Sequence, residues 1–201
     1  LKNNGVKAKM LVANKTSDQI TVVGLSHRWL QRWRFIWERF SVYCRLHFSR
    51  RNLFAIDIAN TGADITSLPE FREADLIHLS WINQGMLSLG DIRKIVKSGK
   101  PVVWTMHDLW PATAICHYAR QCAMFKTGCH NCRLLPGGGS ANDIASKVWS
   151  KKKALYHNSN IHFVTCSRWL ETQARQSGLL VGQRVSSIPN PIDSRVFAPS
   201  D

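Results

Sequence analysis

Acidic residues are scarce in this chain of 201 residues. Asp and Glu together number 13, against 27 Lys and Arg, so the formal net charge is +14. The electrostatic field of such a positive charge attracts phosphate groups of nucleic acids, lipid headgroups or nucleotides. The charge alone does not distinguish among these partners. The chain also lacks any uncharged apolar run near the roughly 18 residues of a membrane span, and no stretch resembles a signal peptide. We therefore expect a cytoplasmic protein, and peripheral contact with the inner face of the membrane stays open.

Other signatures are missing too. There is no internal repeat and no nucleophile elbow of the G-x-S-x-G type. The run Gly137-Gly138-Gly139-Ser140 does not follow a strand, so it lacks the context of a phosphate-binding turn, and we predict a flexible loop. Six cysteines without a secretion signal favour reduced thiols, some able to bind metal, over a disulfide framework. A hydrophobic content of 44% with 20% charged residues is typical of one globular domain of this length.

Short apolar runs alternate with helical patterns along the chain. The runs predict strands at Ala8–Ala13, Leu53–Ala59, Leu76–Trp81, Val102–Met106, Ile161–Cys166 and Val185–Ile188. The periodic segments predict helices at Trp29–Phe48, Leu87–Val96, Ile144–Tyr156 and Trp169–Ser177. This alternation indicates a Rossmann-like α/β domain, in which a parallel sheet is covered by helices on both faces.

Polar residues follow several of the predicted strands. In open parallel sheets, ligands bind beyond the carboxyl ends of the strands. The candidates at that edge are Ser80, Asn83, Gln84, His107, Asp108, Ser167, Arg168, Asn190 and Asp193. Ser167 also precedes a helical pattern and could act as an N-cap, in which case the neighbouring amides could still hold an anion.

His107 and Asp108 are the strongest of these candidates. They follow Val102–Met106, a run that predicts a strand buried on both faces. A lone histidine at this place would usually bond a loop carbonyl, but the adjacent acid and the aromatic cover of Trp104 and Trp110 favour a catalytic role. Asp108 could equally be a turn residue before Pro111.

Four cysteines follow at once in a polar loop. Cys116, Cys122, Cys129 and Cys132 have the spacing C-x5-C-x6-C-x2-C, whose closing C-x2-C is the usual half of a zinc knuckle. We predict that these four thiolates bind a structural zinc ion. Two alternatives stay open: reduced thiols packed in a loop, or a site in which His117 or His130 replaces one thiolate.

A basic segment extends from His27 to Arg51. Its only acidic residue is Glu38, and its aromatic residues recur at helical spacing among seven arginines. Two interpretations stay open and are compatible. One is an interfacial helix drawn to anionic lipids, and the other is an amphipathic helix that packs on the sheet and leaves its arginines in water.

Five separated motifs carry a family resemblance. They are DLIHLSWINQGMLSL (75–89), KPVVWTMHDLWPATAICHYARQC (100–122), GCHNC (128–132), FVTCSRWL (163–170) and IPNPIDSRVFAP (188–199). With these motifs the chain resembles the N-terminal half of a GT-B glycosyltransferase, specifically bacterial members of glycosyltransferase family 4. The resemblance extends over essentially all 201 residues.

The resemblance implies a retaining hexosyltransferase that needs no catalytic metal. It would transfer sugar from a nucleotide-sugar donor to a glycan or lipid-linked acceptor in cell-surface polysaccharide or lipopolysaccharide synthesis. Residues 1–189 would form the acceptor-side domain, and residues 190–201 would begin the interdomain linker. His107 matches the family's active-site histidine, which contacts the transferred sugar, and the segment Asn190 to Asp193 matches the interdomain crossover.

The chain departs from the family pattern at several points. The first strand, the glycine-rich acceptor loop and the donor domain would lie outside the 201 residues, so we expect the fragment to be inactive alone. Ser80 stands where relatives often have His, Ala112 where they often have an aromatic residue, and Arg133 where they often have Pro.

Two rival functions are compatible with parts of the sequence. A zinc-stabilised basic module that binds nucleic acid fits the charge and the cysteines, but no recognition element accompanies them, and we expect no nucleic-acid partner. A hydrolase using His107 and Asp108 is weaker, because the chain has no nucleophile elbow.

Overall fold

The computed structural model describes residues 5–25, 27–192 and 197, so the candidate Asp193 lies outside the described residues. Two parallel sheets are flanked by helices. The smaller one pairs β1 (Met10–Val12) with β2 (Val22–Gly24). The larger one contains β3 (Ile77–Ser80), β4 (Val102–Met106), β5 (Ile161–Thr165) and β6 (Arg184–Ser187), all parallel and neighbours in chain order. The predicted Rossmann-like α/β class is confirmed.

In the described part of the chain, five α-helices connect the strands. They are α1 (Arg28–Arg45), α2 (Pro69–Arg72), α3 (Leu89–Lys97), α4 (Ile144–Tyr156) and α5 (Arg168–Arg175). Local capping sets three of their starts: Ser88 and Asp91 form a capping box on α3, Asp143 accepts a hydrogen bond from the Ser146 amide, and Ser167 accepts one from Leu170. Within the described residues, no helix has both the length and the apolar character needed to cross a bilayer.

Most of the predicted strands and helices are present in the structure, and one predicted strand is not. β4 and α4 have the predicted bounds, whereas β2 and α2 were not predicted. The segment Leu53–Ala59 is not a strand, apart from one bridge between Ile56 and Cys116. Side chains from α1 take some of the hydrogen bonds of this segment's backbone instead. Arg39 donates to the carbonyls of Leu53 and Ile56, and Glu38 accepts from the Ile58 amide.

The main sheet buries one face more completely than the other, so the prediction that β4 is buried on both faces is wrong. Val102, Trp104 and Met106 are buried, while the alternate residues Val103 and Thr105 are half-buried. On β3 the equivalent alternate residues, His78 and Ser80, are exposed. The buried face therefore forms the core, and the other face carries polar side chains.

An aromatic cluster occupies the centre of that core. Trp104 stacks on Phe163 with ring centroids 5.8 Å apart, and Trp110 lies 6.1 Å from Trp104. Tyr156 packs edge-on against Phe163 and donates a hydrogen bond of 3.0 Å to the Pro111 carbonyl. The cluster fixes the segment after β4, because Trp110 and Pro111 belong to it. Trp104 and Trp110 thus lie in the core and do not form the predicted cover over His107.

Candidate active site

His107 lies directly beyond β4, next to the end of β3. The parallel register pairs Ser80 with Thr105, so the residues that follow these two meet at the carboxyl edge of the sheet. The Ser80 hydroxyl and His107 Nε2 are 2.9 Å apart, and both side chains are exposed. Both residues are candidates from the ends of predicted strands. The fold brings them together although they are 27 positions apart in the sequence.

A second histidine lies on the same polar face. His78 Nε2 is 2.7 Å from the Thr105 hydroxyl. Although His78 is exposed overall, partial desolvation of its ring, with a smaller contribution from the charge of His107, lowers its pKa below the usual value. The neutral form of His78 is thus favoured beside His107, and the sequence prediction did not include this residue.

Asp108 has two partners, and His107 is neither of them. One carboxylate oxygen accepts a hydrogen bond of 2.8 Å from the Trp110 amide, which is the turn role considered above. The other lies 2.7 Å from His117 Nδ1 in a buried pair. Asp108 is therefore a turn residue that also orients a histidine nine positions later. The sequence suggested His117 only as a zinc ligand. Its pairing with Asp108 depends on the shape of the loop between the two residues, which the sequence does not reveal.

A cleft of about 360 Å³ opens beside this pair. Its walls are formed by Phe54, Ala55, Trp81, Gln84, Asp108, His117, Tyr118, Arg120 and Leu134. The ring of Trp81 stacks on His117 at 5.4 Å and an angle of 25°. Trp81 is half exposed, so part of its ring remains available to a ligand.

The loop after β3 is held in an unusual backbone conformation. Trp81 and Gln84 have φ values of 45° and 58°, a left-handed region that costs non-glycine residues of the order of 1 kcal/mol. Asp57 fixes this loop, because its buried carboxylate accepts a hydrogen bond of 2.8 Å from the Gln84 amide. Among the described residues, the Nδ2 atom of the buried Asn83 has no hydrogen-bond partner.

The remaining predicted residues lie outside this cleft. Ser167 caps α5 through a hydrogen bond of 3.2 Å from the Leu170 amide, and Arg168 and Asn190 are exposed. A smaller cavity of about 210 Å³ lies between α5 and the loop that carries Tyr118 and Arg120. Because these two residues line both cavities, the start of α5 is close to the main cleft.

The four cysteines of the predicted zinc site share one loop and are all half-buried. The Cys132 amide donates to Asp143, and a Cβ atom on Gly139 would lie 2.5 Å from the Cys132 nitrogen. Gly139 is therefore packed against this loop. A Cβ atom on Gly137 or Gly138 would meet nothing within 4 Å, and these two glycines belong to a short 3-10 helix. Burial raises the pKa of Cys129 to about 12.

Across the described residues, no set of three or more His, Cys, Asp or Glu side chains is positioned to hold a metal ion. A zinc ion would need its four ligands in a tetrahedral arrangement around it. The four-thiolate zinc site therefore remains a prediction from the spacing.

Comparison with known proteins gives one partial similarity. No protein-family model matches the chain. No solved structure matches it either. Over 73 residues the chain is 34% identical to a protein of Escherichia coli (strain K12) provisionally named as a colanic acid biosynthesis glycosyl transferase, WcaC. The aligned part is 35% of this chain and 18% of that protein, so the chain spans less than a fifth of the relative's length.

Proposed function

We propose that the chain is the acceptor-side part of a retaining, nucleotide-sugar-dependent hexosyltransferase of the GT-B type, within glycosyltransferase family 4. The whole protein would act in cell-surface polysaccharide or lipopolysaccharide synthesis. The observation that carries this proposal is the partial identity with a protein whose name states glycosyl transfer for colanic acid. The parallel sheet with polar residues at its carboxyl edge supports it, because that edge is where such folds bind ligands.

His107 is the residue that we assign to the transferred sugar. Its exposed ring lies at the sheet edge, where a sugar could approach it, and the Ser80 hydroxyl 2.9 Å away fixes the ring orientation. The hydroxyl also influences which ring nitrogen carries the proton, since the partner of one nitrogen sets the state of the other. Ser80 is thus a positioning residue for His107.

The cleft next to Asp108 is the proposed acceptor site. The half-exposed ring of Trp81 offers an apolar surface to the face of a sugar. Gln84 and Tyr118 supply groups that can hydrogen-bond sugar hydroxyls, and Arg120 can pair with a phosphate. Asp108 acts indirectly, because its carboxylate orients His117 and His117 supports the ring of Trp81.

The test is turnover by the whole protein with a panel of nucleotide-sugar donors and a lipid-linked acceptor, followed by release of nucleoside diphosphate. His107→Ala should lower turnover about 100-fold, as expected for a group that contacts the reacting sugar. His157→Ala is the matched control, because His157 is an exposed residue at the end of α4. Turnover by His107→Ala at the level of the control would remove His107 from the mechanism. Absence of transfer by the unmodified protein with every donor would reject the proposed function.

A further inference from the structure

Helix α1 turns its apolar side to the solvent. Trp29, Trp33, Ile36, Trp37 and Phe40, which we call the tryptophan stripe, recur at spacings of three and four residues and so share one face of the helix. Their exposed fractions lie between 47% and 63%. The interpretation in which the apolar side packs on the sheet is therefore wrong for this helix, and the stripe forms a surface that needs another explanation.

The opposite side of α1 holds the helix in this orientation. Its buried residues include Gln31, Glu38, Arg39 and Val42. Arg39 pairs with Glu38 and lies 3.5 Å from the buried carboxylate of Asp57. Rotation of the helix to bury the stripe would expose or break this ionic network, and it would leave charges unpaired in the core.

A close backbone contact fixes the helix as well. A Cβ atom on Gly85 would lie 2.8 Å from the carbonyl carbon of Arg34 and 2.9 Å from the Phe35 nitrogen. Only glycine allows the loop after β3 to approach α1 this closely. This close contact prevents α1 from turning about its axis, so the stripe stays on the surface.

Positive charge surrounds the stripe. Arg32 lies on one flank, and Arg34 and Arg45 lie on the other, as the helical period of 3.6 residues requires. Arg50 and Arg51 follow the helix and are exposed. Glu38 is the only acidic residue of the segment 27–51, and its side chain is buried. No negative charge of this segment therefore reaches the surface.

We propose that the tryptophan stripe docks the protein on a membrane surface that contains anionic lipids, with α1 lying in the plane of the interface. Indole rings favour the headgroup level, and arginines at the flanks of the helix can reach lipid phosphates. A second copy of the same surface fits worse, because it would bring arginines of both copies together. The proposal goes beyond glycosyl transfer and does not depend on it.

The test is co-sedimentation of the protein with vesicles of phosphatidylcholine, with or without phosphatidylglycerol. The double variant Trp33→Ser/Trp37→Ser should reduce binding to the anionic vesicles at least about tenfold, through loss of two interfacial rings. Trp169→Ser is the matched control, because Trp169 is also exposed, to 61%, but belongs to α5 and not to the stripe. This control should bind like the unmodified protein.

The contribution of charge has its own variant. Arg32→Glu/Arg45→Glu should weaken binding to anionic vesicles by more than about fivefold per side chain, and added salt should act in the same direction. Arg32 and Arg45 are exposed on α1, so their substitution should not disturb folding. This variant therefore tests the proposal even if the tryptophan variant does not fold.

Three outcomes would overturn the proposal. Binding could be equal for neutral and anionic vesicles, or equal for the stripe variant and its Trp169→Ser control. The unmodified protein could also form a dimer in light scattering that the stripe variant abolishes, which would assign the stripe to a subunit contact. None of these outcomes depends on transferase activity, so they are distinguishable from failure of the proposed function.

Discussion

Arg39 ties helix α1 to the segment Leu53–Asp57. Its guanidinium group bonds Glu38, donates to the carbonyls of Leu53 and Ile56, and lies 3.5 Å from Asp57. The side chains of all three charged residues are almost completely buried. Arg39→Ala would therefore leave two carboxylates in the core without their cation. Removal of one partner from a buried ion pair usually costs about 3–5 kcal/mol, which is a large part of the stability of a typical domain.

The pH dependence of this loss follows from Glu38. Burial, and next the charge of Asp57, raise the pKa of Glu38 from 4.5 to about 7 in the folded protein, although Arg39 opposes the rise. The folded state then binds more protons than the unfolded state between these values, so stability falls as the pH rises through this range. Without Arg39 the folded pKa rises further. The Arg39→Ala variant should thus lose more free energy of unfolding at pH 8 than at pH 5.

Urea denaturation followed by tryptophan fluorescence measures both effects, because the buried Trp104 and Trp110 report on the core. Arg45→Ala is the matched control on the same helix, where the side chain is exposed, and it should change the free energy of unfolding by less than about 0.5 kcal/mol. The double variant Glu38→Gln/Arg39→Ala should lose less than the sum of its single variants, since the two residues are coupled. A loss below about 1 kcal/mol for Arg39→Ala at pH 8, the range of an exposed ion pair, would refute the reasoning.

Two further predictions concern the glycine contact and the cysteine loop. Gly85→Ala should lower the free energy of unfolding more than Gly99→Ala does. Both glycines have positive φ, but an added Cβ meets the Arg34 backbone at Gly85 and nothing within 4 Å at Gly99; equal losses would show that the backbone conformation alone matters. Metal analysis of protein purified without chelator should find about one zinc ion per chain if the four thiolates bind it, and Cys129→Ser should release it. A folded protein free of metal would contradict the zinc prediction.

Much of the edge of the sheet could be predicted from the sequence. Apolar runs located five of the six strands that the described residues form, and the parallel arrangement then required the ends of β3 and β4 to be neighbours. Ser80 and His107, which were both candidates from the ends of these strands, lie 2.9 Å apart. The prediction succeeded because both steps depend on the local period of the chain and on the direction of the strands, which the alternation of strands and helices already reveals.

Several of the incorrect expectations have one physical cause, which is buried charge. In the interpretation in which α1 packs on the sheet, Trp33 and Trp37 would face the core and Arg39 would face water, since charged residues are rarely buried unless paired. The structure reverses both, because Arg39 has Asp57 as a second partner from a distant segment. The same pairing converts Leu53–Ala59 from a predicted strand into a loop. Asp108 and His117 also pair in the interior, and no periodicity reveals such partners.

The ionic network connects the tryptophan stripe to the proposed acceptor cleft. Asp57 accepts the Gln84 amide in the wall of the cleft and also faces Arg39 on α1. Phe54 lines the cleft, and its ring lies 5.6 Å from the guanidinium carbon of Arg39. A helix docked on a membrane would therefore hold the cleft at a fixed distance from the lipid surface. Such an arrangement suits an acceptor that is anchored in the bilayer, because the enzyme and the acceptor then search for each other in two dimensions, at a raised effective concentration.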